Sequence, residues 1–446
     1  MGATCAIQAV QAPFRSGATL GMGAGSRSEY EGDLTGPARP FCHPILPSPT
    51  QAVTSYAMQR FDQSPTDPDF VQNPYPFYDQ ARQAGELFWW QDYNMACAVS
   101  HRLVQTVLRD KRMGRECPAE LAPAIPDRLR PFYEIEAHSM LELEPPRHTR
   151  LRGLVLRAFT SRTIAALAPQ IHDICNHLID QFPEGPFDLI SAYAQPVPII
   201  IICRLLGVPE SHADDLLRWS NAMVAMYQAR RTPAIEDAAI AASQDFTAFM
   251  RDYIKARRRD ARDDLISTLI AAEEAGEKLT EDELITTCIL LLNAGHEATV
   301  HTLANGVKTL IEHGQSHIDE KVVEEIIRYD PPLHMFTRWV YEDLEIGGQQ
   351  FRRGDQIGCL LGAANRDPVA YDTPNQFRPD RSGPQNTSFG GGIHFCVGAP
   401  LARLELRIAL QTLFDRCPEL SITATPAYAN LYHFHGLDHL MVSKAG

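Results

Sequence analysis

Residues 389–398 read Phe389-Gly390-Gly391-Gly392-Ile393-His394-Phe395-Cys396-Val397-Gly398. Three consecutive glycines let a backbone turn tightly and approach a flat ligand closely. A helical pattern begins at Pro400, so Cys396 stands near a helix N-terminus, where free N–H groups and the helix dipole stabilise a thiolate. A single thiolate held by a glycine-rich loop is what an axial ligand of haem iron requires. The alternative is a buried thiol beside a turn, and the fixed spacing of Phe, Gly, His, Cys and Gly argues against it.

This stretch resembles the haem-binding loop of the cytochrome P450 family, the haem-thiolate monooxygenases. The resemblance covers the chain from about Met58 to the C-terminus and rests on five motifs in the family's order. It implies a mainly α fold with small peripheral β-sheets, the cytochrome P450 fold. In that fold, haem b lies between a long central helix and the helix that follows the cysteine loop. The resemblance also implies that Cys396 is the ligand of the haem iron.

The composition of the chain excludes some classes of function. The net charge of −14 makes the surface acidic overall, which argues against nucleic-acid binding. The ten cysteines include no Cys-x-x-Cys pair, and scattered thiols of this kind are typical of a reducing cytoplasm. The longest apolar run, Val197 to Cys203, is far shorter than the roughly 18 residues that a membrane span needs, so we expect none.

The chain divides into two parts by composition. Residues 1–57 are rich in Gly, Ala, Ser and Pro, show no sustained period and lack the features of a signal peptide. We therefore predict an N-terminal extension of low order. No repeat or linker interrupts the remainder, and we predict a single haem-thiolate monooxygenase domain over residues 58–446. Regular structure should begin near Phe61, and Pro74-Tyr75-Pro76-Phe77-Tyr78 resembles the family's entry into its first helix.

Helical patterns dominate from Arg150 to Glu312, and they are clearest over Asp263–Ala275 and Thr280–His313. Thr280 followed by Glu283 forms a capping box, and Gly314 is a stop signal. The second segment has about 33 residues without proline, so it would form one helix of about 50 Å that crosses the core. Short strand-like runs occur at Leu87–Trp90, Ala96–Val99, Leu344–Ile346 and Ile357–Leu361.

Glu325 and Arg328 stand three residues apart on one predicted helix face. Such pairs are common on surfaces, where each is worth a few tenths of a kcal/mol. The motifs Asn365-Arg366-Asp367-Pro368 and Phe377-Arg378-Pro379-Asp380-Arg381 then follow in the order that the family shows. By resemblance, Glu325, Arg328 and Arg381 form an interlocked structural triad that holds the haem-loop region and performs no chemistry.

The segment Pro145-Pro146-Arg147-His148-Thr149-Arg150-Leu151-Arg152 resembles the start of the family's C helix. His148 and Arg152 are four residues apart and share a helix face. Haem propionates are anionic and need such donors. The family implies that His148 and Arg152 bind one propionate, and that Arg338 and His394 bind the other. The alternative for each arginine is a solvated surface charge.

The motif Ala294-Gly295-His296-Glu297-Ala298-Thr299 lies midway along the long predicted helix. Family members usually read Ala-Gly-x-Glu/Asp-Thr here, where the glycine makes room for oxygen and the acid and hydroxyl help to deliver protons. By resemblance, Glu297 and Thr299 are the catalytic candidates. However, Ala298 occupies the position of the family's threonine, and Thr299 follows about 100° round the helix, so it cannot simply substitute. The alternative for Glu297 is a structural ion pair.

Four arginines cluster in and around this C helix: Arg147, Arg150, Arg152 and Arg157. A local basic patch is informative on an acidic protein. In the family this face lies over the thiolate side of the haem, where an acidic iron–sulfur protein docks. We therefore expect a ferredoxin-type electron donor with its NAD(P)H reductase. Arg150 is assigned to docking and Arg152 to the haem, because two positions apart on a helix they face nearly opposite sides.

The family's pocket positions correspond to seven residues of this chain: Leu290, Asn293, Ala294, Ala298, His334, Phe336 and Phe434. This lining is mostly apolar. Asn293 and His334 are candidate polar anchors that would orient a substrate, because a buried polar group left unpaired is costly. A terpenoid, steroid-like or polyketide-like molecule with one oxygen function would fit.

The resemblance implies a cytoplasmic enzyme that inserts one oxygen atom of O2 into a C–H or C=C bond of a hydrophobic small organic substrate. Electrons would come from NAD(P)H through the reductase and ferredoxin. Two alternatives stay open: a peroxide-driven peroxygenase, which Ala298 slightly favours, and a non-catalytic haem-binding protein. Glu297 argues against both, and no arginine near the middle of the long helix could anchor the carboxylate of a fatty acid.

Overall fold

Helices make up most of the structure, a computed structural model that describes residues 58–227, 231–274, 279–432 and 434–444. Residues 1–57, which the sequence predicts to be an extension of low order, lie outside the described residues. The helices are α1 (Pro68–Gln72), α2 (Tyr75–Ala84), α3 (His101–Arg109), α4 (Arg130–Glu136), α5 (Arg147–Ala158), α6 (Ser161–Ala166), α7 (Ala168–Asp180), α8 (Pro196–Leu206), α9 (Ala213–Val224), α10 (Pro233–Arg257), α11 (Leu265–Glu274), α12 (Glu281–Glu312), α13 (Glu320–Tyr329), α14 (Leu361–Ala364) and α15 (Ala399–Arg416). Within the described residues, none of them is both long enough and apolar enough to cross a bilayer.

The strands are short and form small sheets beside the helices. They are β1 (Arg60–Phe61), β2 (Leu87–Trp90), β3 (Met95–Ala98), β4 (Met113–Gly114), β5 (Phe187–Asp188), β6 (Met335–Val340), β7 (Leu344–Ile346), β8 (Gln349–Phe351), β9 (Gln356–Leu360), β10 (Ser421–Ile422), β11 (Ala427–Tyr428), β12 (Leu437–His439) and β13 (Met441–Ser443). The largest sheet has six strands in the order β1-β2-β3-β9-β6-β4. In it, β4 pairs with β6 so that Gly114 lies opposite Trp339, which brings Arg115 close to Arg338.

The long helix α12 begins and ends where the sequence predicts. The Thr280 hydroxyl accepts the N–H of Glu283 at 3.2 Å, and the Glu283 carboxylate accepts the N–H of Thr280 at 3.1 Å, which completes the capping box. The helix has 32 residues, about 48 Å, and ends just before Gly314, whose φ is +63°. It packs against α8, α10 and α15 and is buried along most of its length, so it forms the centre of the core.

Most other predicted elements are found with small shifts. The predicted strands at Leu87–Trp90 and Leu344–Ile346 have those bounds, whereas β3 and β9 each begin and end one residue earlier than predicted. Leu361 is not part of β9 because it starts α14. A short helix, α1, precedes the predicted first helix: Asp67 caps it by accepting the N–H of Phe70, and Pro68 stands at its first position.

Candidate active site

One large cavity lies between α12 and the loop that leads into α15. From α12 it is lined by Leu290, Leu291, Ala294, Gly295, Ala298, Thr299 and Thr302. The loop contributes Ser388, Phe389 and residues 394–398, among them Cys396. The structure therefore brings the predicted thiolate ligand and the middle of the long helix to opposite walls of the same cavity.

The backbone of the cysteine loop is shaped by its glycines. Gly390 and Gly392 have φ values of +73° and +66°, which only glycine adopts without strain. A Cβ on Gly392 would also lie 2.6 Å from the carbonyl oxygen of Leu108, and the Cys396 N–H donates to the carbonyl of Phe389 at 3.0 Å. These constraints fix the loop tightly, so Cys396 is held in one place at the start of α15.

Cys396 differs from the other described cysteines in its exposure. It is the only exposed thiol in the described ranges, and the surface that it exposes faces the cavity. Removal from bulk water raises the pKa of the Cys396 thiol, while the N–H groups of Gly398 and Ala399 and the guanidinium of Arg152 act in the opposite direction. Burial outweighs these groups and leaves the pKa of the Cys396 thiol above its usual range, and the thiol faces the cavity.

Cationic and imidazole side chains gather at one end of this cavity: Arg115, His148, Arg152, Arg338 and His394. Four of them are the predicted propionate ligands, and the sequence analysis missed Arg115. No local motif marks Arg115; the pairing of β4 with β6 brings it close to Arg338. Arg115 pairs with Glu142 at 2.6 Å.

At this end of the cavity Glu144 joins Arg115 to His394. The Glu144 carboxylate contacts His394 Nε2 at 2.8 Å and accepts the N–H of Arg115 at 2.7 Å. Burial would raise the pKa of Glu144, but these hydrogen bonds outweigh it and leave the pKa below its usual range. Burial lowers the pKa of His394 to about 4 despite Glu144. The His394 ring lies 4.4 Å from that of His148, so the two predicted ligands are neighbours.

The catalytic candidates on α12 point in different directions. Thr299 lines the cavity, as Ala298 does, whereas Glu297 does not. The Glu297 carboxylate lies between His296 Nδ1 at 3.7 Å and His301 Nε2 at 3.6 Å, and it is 3% exposed. Burial would raise the pKa of Glu297, but the two histidines outweigh it and lower the pKa. The structure thus brings Thr299 to the cavity and keeps Glu297 behind the wall.

Two further features of α12 escaped the sequence analysis. Thr302 lines the cavity, and its hydroxyl donates to the carbonyl of Ala298 at 2.6 Å. The family's glycine, Gly295, faces α8: a Cβ there would lie 3.0 Å from Cδ1 of Ile202, which also lines the cavity. The i+4 spacing of Thr302 from Ala298 is a signal that could have identified it.

Two of the seven predicted pocket residues do not line this cavity. Leu290, Ala294, Ala298, Phe336 and Phe434 do so. Asn293 lines a smaller neighbouring cavity instead, because it lies about 100° round the helix from Ala294.

His334 is fully buried in an aromatic cluster, with Nδ1 2.8 Å from the hydroxyl of Tyr78. It follows Leu333, which does line the cavity, and successive side chains of an extended chain point to opposite faces. The prediction that His334 contacts the substrate is therefore wrong for this cavity.

The structural triad is assembled outside the cavity. Both oxygens of Glu325 accept hydrogen bonds from Arg328 at 2.7 Å and from Arg381 Nε at 3.2 Å. Arg328 also donates to the carbonyls of Asn365 and Pro374 at 2.8 and 3.0 Å. These contacts join α13 to the segment that precedes the cysteine loop, so the triad supports that segment.

Arg150, which the sequence assigns to docking, is engaged in an ion pair with Glu283. Its guanidinium donates to both carboxylate oxygens of Glu283 at 3.0 and 2.5 Å, and its side chain is 28% exposed. Arg152 turns the other way and donates to the carbonyl of Phe395 at 2.6 Å. The opposite orientation of the two arginines is as predicted, but Arg150 joins α5 to the start of α12.

The fold and this cavity match known proteins. The sequence model of the family described as Cytochrome P450 matches residues 87–317 and 317–421. The chain belongs to the cytochrome P450 family. Members of this family are oxidoreductases that incorporate one oxygen atom, and they bind haem b.

Similar proteins come from bacteria that differ widely. The chain is 34% identical over 396 residues to "Cytochrome P450 monooxygenase PikC" of Streptomyces venezuelae, covering 84% of this chain and 92% of that protein. It is 36% identical over 346 residues to "Erythromycin C-12 hydroxylase" of Saccharopolyspora erythraea, covering 75% and 85%. The solved structure of P450BioI with an acyl carrier protein ligated to hexadec-9Z-enoic acid has a TM-score of 0.79 at 33% identity, covering 84% of this chain and 99% of that one.

The residues of this P450 fit haem b. Within the described residues, no carboxylate pairs with the buried guanidinium of Arg338, whose hydrogen bond goes to the carbonyl of Thr337. Burial lowers the pKa of Arg338 to about 10. A buried cation of this kind needs an anion, and a haem propionate would supply it. His148 Nδ1, buried and without a hydrogen-bond partner among the described residues, is available to donate to the other propionate.

Proposed function

We propose that this P450 inserts one oxygen atom of O2 into a hydrophobic small organic substrate by hydroxylation or epoxidation. The observation that carries the proposal is the placement of Cys396 across one cavity from the apolar middle of α12. Haem b, when bound to the thiolate of Cys396, supplies the activation of O2, and the thiolate donates the electron density that favours O–O cleavage. The side chains of this chain would then position the substrate, exclude water from the cavity and transfer protons.

The walls of the cavity favour an apolar substrate. Leu290, Ala294, Ala298, Phe336 and Phe434 line it, and they would hold an apolar skeleton by burial and exclude water. Among the terpenoid, steroid-like and polyketide-like classes, we place the polyketide-like class first. The support is the similarity to macrolide and polyketide hydroxylases such as the one named "Erythromycin C-12 hydroxylase".

Proton handling in the proposed reaction rests on Glu297 and the hydroxyls near it. Glu297 is buried behind the cavity wall next to two histidines, so it can hold a proton or pass one on without contacting the substrate. Thr299 offers a hydroxyl in the cavity itself, on the residue after Ala298. We propose Glu297 as an ionised relay that accepts a proton and passes it on, and Thr299 as a contact nearer the reacting atoms.

We further propose that a ferredoxin, reduced by an NAD(P)H reductase, docks over the cysteine loop. The exposed cations on this side are Arg109, which lies beside the cysteine loop, and Arg147 and Arg157 on α5, the helix whose Arg152 contacts the loop. Arg109 lies next to Gly391. The loop also exposes Ile393 at 43%. A basic rim around an apolar contact suits an acidic iron–sulfur protein. The described cysteines are free, which supports a cytoplasmic location.

The test is a reconstitution with purified holoprotein. With NAD(P)H, a reductase and a ferredoxin, product formed under isotopically heavy O2 should carry one heavy oxygen atom. Hydrogen peroxide alone should give far slower turnover. Efficient turnover with peroxide and none with the electron-transfer proteins would replace this proposal with a peroxygenase. Bound haem with no product under either condition would favour a haem-binding protein without turnover.

A further inference from the structure

A second, smaller cavity lies next to the main one and shares two lining residues with it. Leu141 and Leu290 line both cavities. Beyond them, the smaller cavity is lined by Glu136, Ser139, Tyr227, Thr286 and Asn293, together with Val224 and Ile289. We call this smaller cavity the polar annex. Its volume is about 20 Å³, which is room for a single small polar group.

Asn293 is the clearest sign that the annex is a binding site. Its side chain is 6% exposed, and Oδ1 has no hydrogen-bond partner. A buried amide oxygen left without a donor is destabilising, so a site of this kind favours a ligand that donates a hydrogen bond. The neighbouring hydroxyls make other contacts: Thr286 donates to the carbonyl of Ile135 at 3.3 Å, and the Ser139 oxygen accepts the N–H of Leu141 at 3.4 Å. Within the described residues no group donates to Asn293 Oδ1, so a donor carried by a ligand can satisfy it.

Glu136 gives the annex its charge. Its carboxyl forms a hydrogen bond with Tyr227, and no basic side chain within the described residues pairs with it. Burial raises the pKa of Glu136 to about 7, against that hydrogen bond. An acid held without a counter-ion favours an incoming cation over a neutral group. The annex thus combines an amide acceptor with an acid that has no basic partner in the part of the chain that the structure describes.

We propose that the annex binds a protonated amino group carried by the substrate, while the carbon to be oxidised lies against the middle of α12 in the main cavity. The inference rests on the function proposed above and adds a chemical class to its substrate. A hydroxyl group would satisfy Asn293 but leave Glu136 without a counter-charge, so we expect the amine to bind more tightly than the alcohol.

The geometry of α12 also gives the length of the substrate. The annex residues on this helix, Thr286 to Asn293, are centred about seven residues before the stretch Ala294 to Thr299 that faces the cysteine loop. At about 1.5 Å per residue the two centres are about 10 Å apart. The substrate should therefore carry its amino group about 10 Å from the position that is oxidised.

The test measures binding to the full-length ferric holoprotein without an electron donor. The probes are decylamine, decanol and decyl methyl ether, which share a chain but offer a cation, a neutral donor or no donor. Absorbance of the haem and calorimetry report binding. We expect decylamine to bind about tenfold more tightly than decanol, and the ether to bind most weakly. The amine should give the spectrum of a displaced water ligand and not that of a nitrogen-ligated iron.

Matched variants locate the effect. Glu136→Gln and Asn293→Leu should each remove most of the preference for the amine. The controls Glu134→Gln, an exposed acid on the same helix, and Asn221→Leu, whose Oδ1 is also buried without a partner but outside both cavities, should preserve it. Haem content checks that every variant folds.

Three results would overturn the proposal: equal affinity for all three probes, an amine preference that survives both annex variants, or a nitrogen-ligated spectrum that places the amine on the iron. Because these measurements need no turnover, they stand apart from the monooxygenase test. The absence of a preference for the amine in the parent protein would overturn the annex proposal alone, and a failed oxygenation would overturn the proposed monooxygenase function.

Discussion

The wall of the cavity that carries Cys396 and the wall formed by α12 are built in different ways. On the first wall, backbone geometry holds the key atom: Gly390 and Gly392 have positive φ values, and the Cys396 N–H donates to Phe389. On the second wall, the key atoms belong to side chains of a regular helix, α12. A residue of its motif can therefore be replaced without altering the backbone of the helix. Ala298 is such a change. A wall built by backbone tolerates few sequences, whereas a wall built by side chains can be adapted to a substrate.

The two walls also differ in charge. On the Cys396 side, one end of the cavity is lined by arginine and histidine side chains, among them Arg115, Arg152 and Arg338. The opposite wall keeps a carboxylate, Glu297, behind it beside two histidines. The cations favour an anionic cofactor, and the buried acid is available for protons. The predictions below change one wall at a time.

Replacing the ligand itself should have the largest effect. Cys396→Ser should remove the shifted carbon-monoxide absorbance band and all turnover, because only a thiolate ligand gives that band. Cys117→Ser, which alters a partly exposed thiol outside the cavity, is the control and should retain both properties. A shifted band that persists in Cys396→Ser would direct attention to another cysteine.

The support behind the Cys396 wall should be the next most sensitive part. Glu325→Gln leaves Arg328 and Arg381 with an uncompensated buried charge, and breaking a buried pair costs about 3–5 kcal/mol. The change should lower the free energy of unfolding in urea and reduce haem content. Asp215→Asn breaks the exposed pair with Arg218, which has the same i,i+3 spacing, and should cost under about 1 kcal/mol. Equal losses for the two variants would contradict a special role for the triad.

On the α12 wall, the acid should matter more than the missing hydroxyl. Glu297→Gln should slow turnover by about tenfold or more and raise the hydrogen peroxide released per NAD(P)H consumed. Ala298→Thr should change both quantities less. The two variants should keep the full carbon-monoxide band, which separates a proton effect from a loss of haem.

The pH dependence gives a second measure of Glu297. Its pKa is lowered in the fold, so the carboxylate stays ionised to a lower pH than an ordinary glutamate, whose pKa is about 4.3. The acidic limb of the rate profile should lie below that value and disappear in Glu297→Gln. An unchanged acidic limb would show that another group carries the protons.

The difference between the walls also explains how far the sequence could predict the site. Cys396 and the glycines around it follow from a contiguous motif, because the loop is held by contacts within itself and to Leu108. The long helix was predictable from its capping box, the absence of proline over its length and the stop signal at Gly314. The face of α12 that lines the cavity is set by tertiary packing. Because successive helix residues differ by about 100°, Asn293 and its neighbour Ala294 face different cavities.

Residues that reach the site through sheet pairing were harder to predict. The pairing of β4 with β6 brings Arg115 close to Arg338, and no local sequence motif indicates this contact. His334 and Leu333 are adjacent in the chain but point to opposite faces, so a shift of one position exchanges a cavity residue for a core residue. The ion pair between Arg150 and Glu283 likewise depends on how α5 lies relative to the start of α12.

The buried cation on the Cys396 side should show opposite effects with and without haem. Arg338→Met should lower haem affinity by about tenfold, since a propionate loses its charged partner. The haem-free protein should become more stable by about 1–2 kcal/mol, because an unpaired buried charge is replaced by an apolar side chain of similar length. Unfolding in urea before and after haem loading measures both. A loss of stability in the haem-free protein would show that Arg338 has a structural partner.

The smallest effects should come from the arginines of α5, and they separate packing from docking. Arg150→Gln removes the pair with Glu283, which is partly exposed, and should cost about 1 kcal/mol in the free energy of unfolding. Its ferredoxin-supported rate should keep the salt dependence of the parent protein. Arg147→Glu reverses an exposed charge at the start of α5 and removes its hydrogen bond to the carbonyl of Ala137, which should cost under about 1 kcal/mol. It should slow the ferredoxin-supported rate at low salt, and the deficit should shrink as salt screens the repulsion. The measurement is the rate against ionic strength for both variants, with haem content as the control. A docking defect in Arg150→Gln together with none in Arg147→Glu would restore Arg150 to the docking surface and remove Arg147 from it.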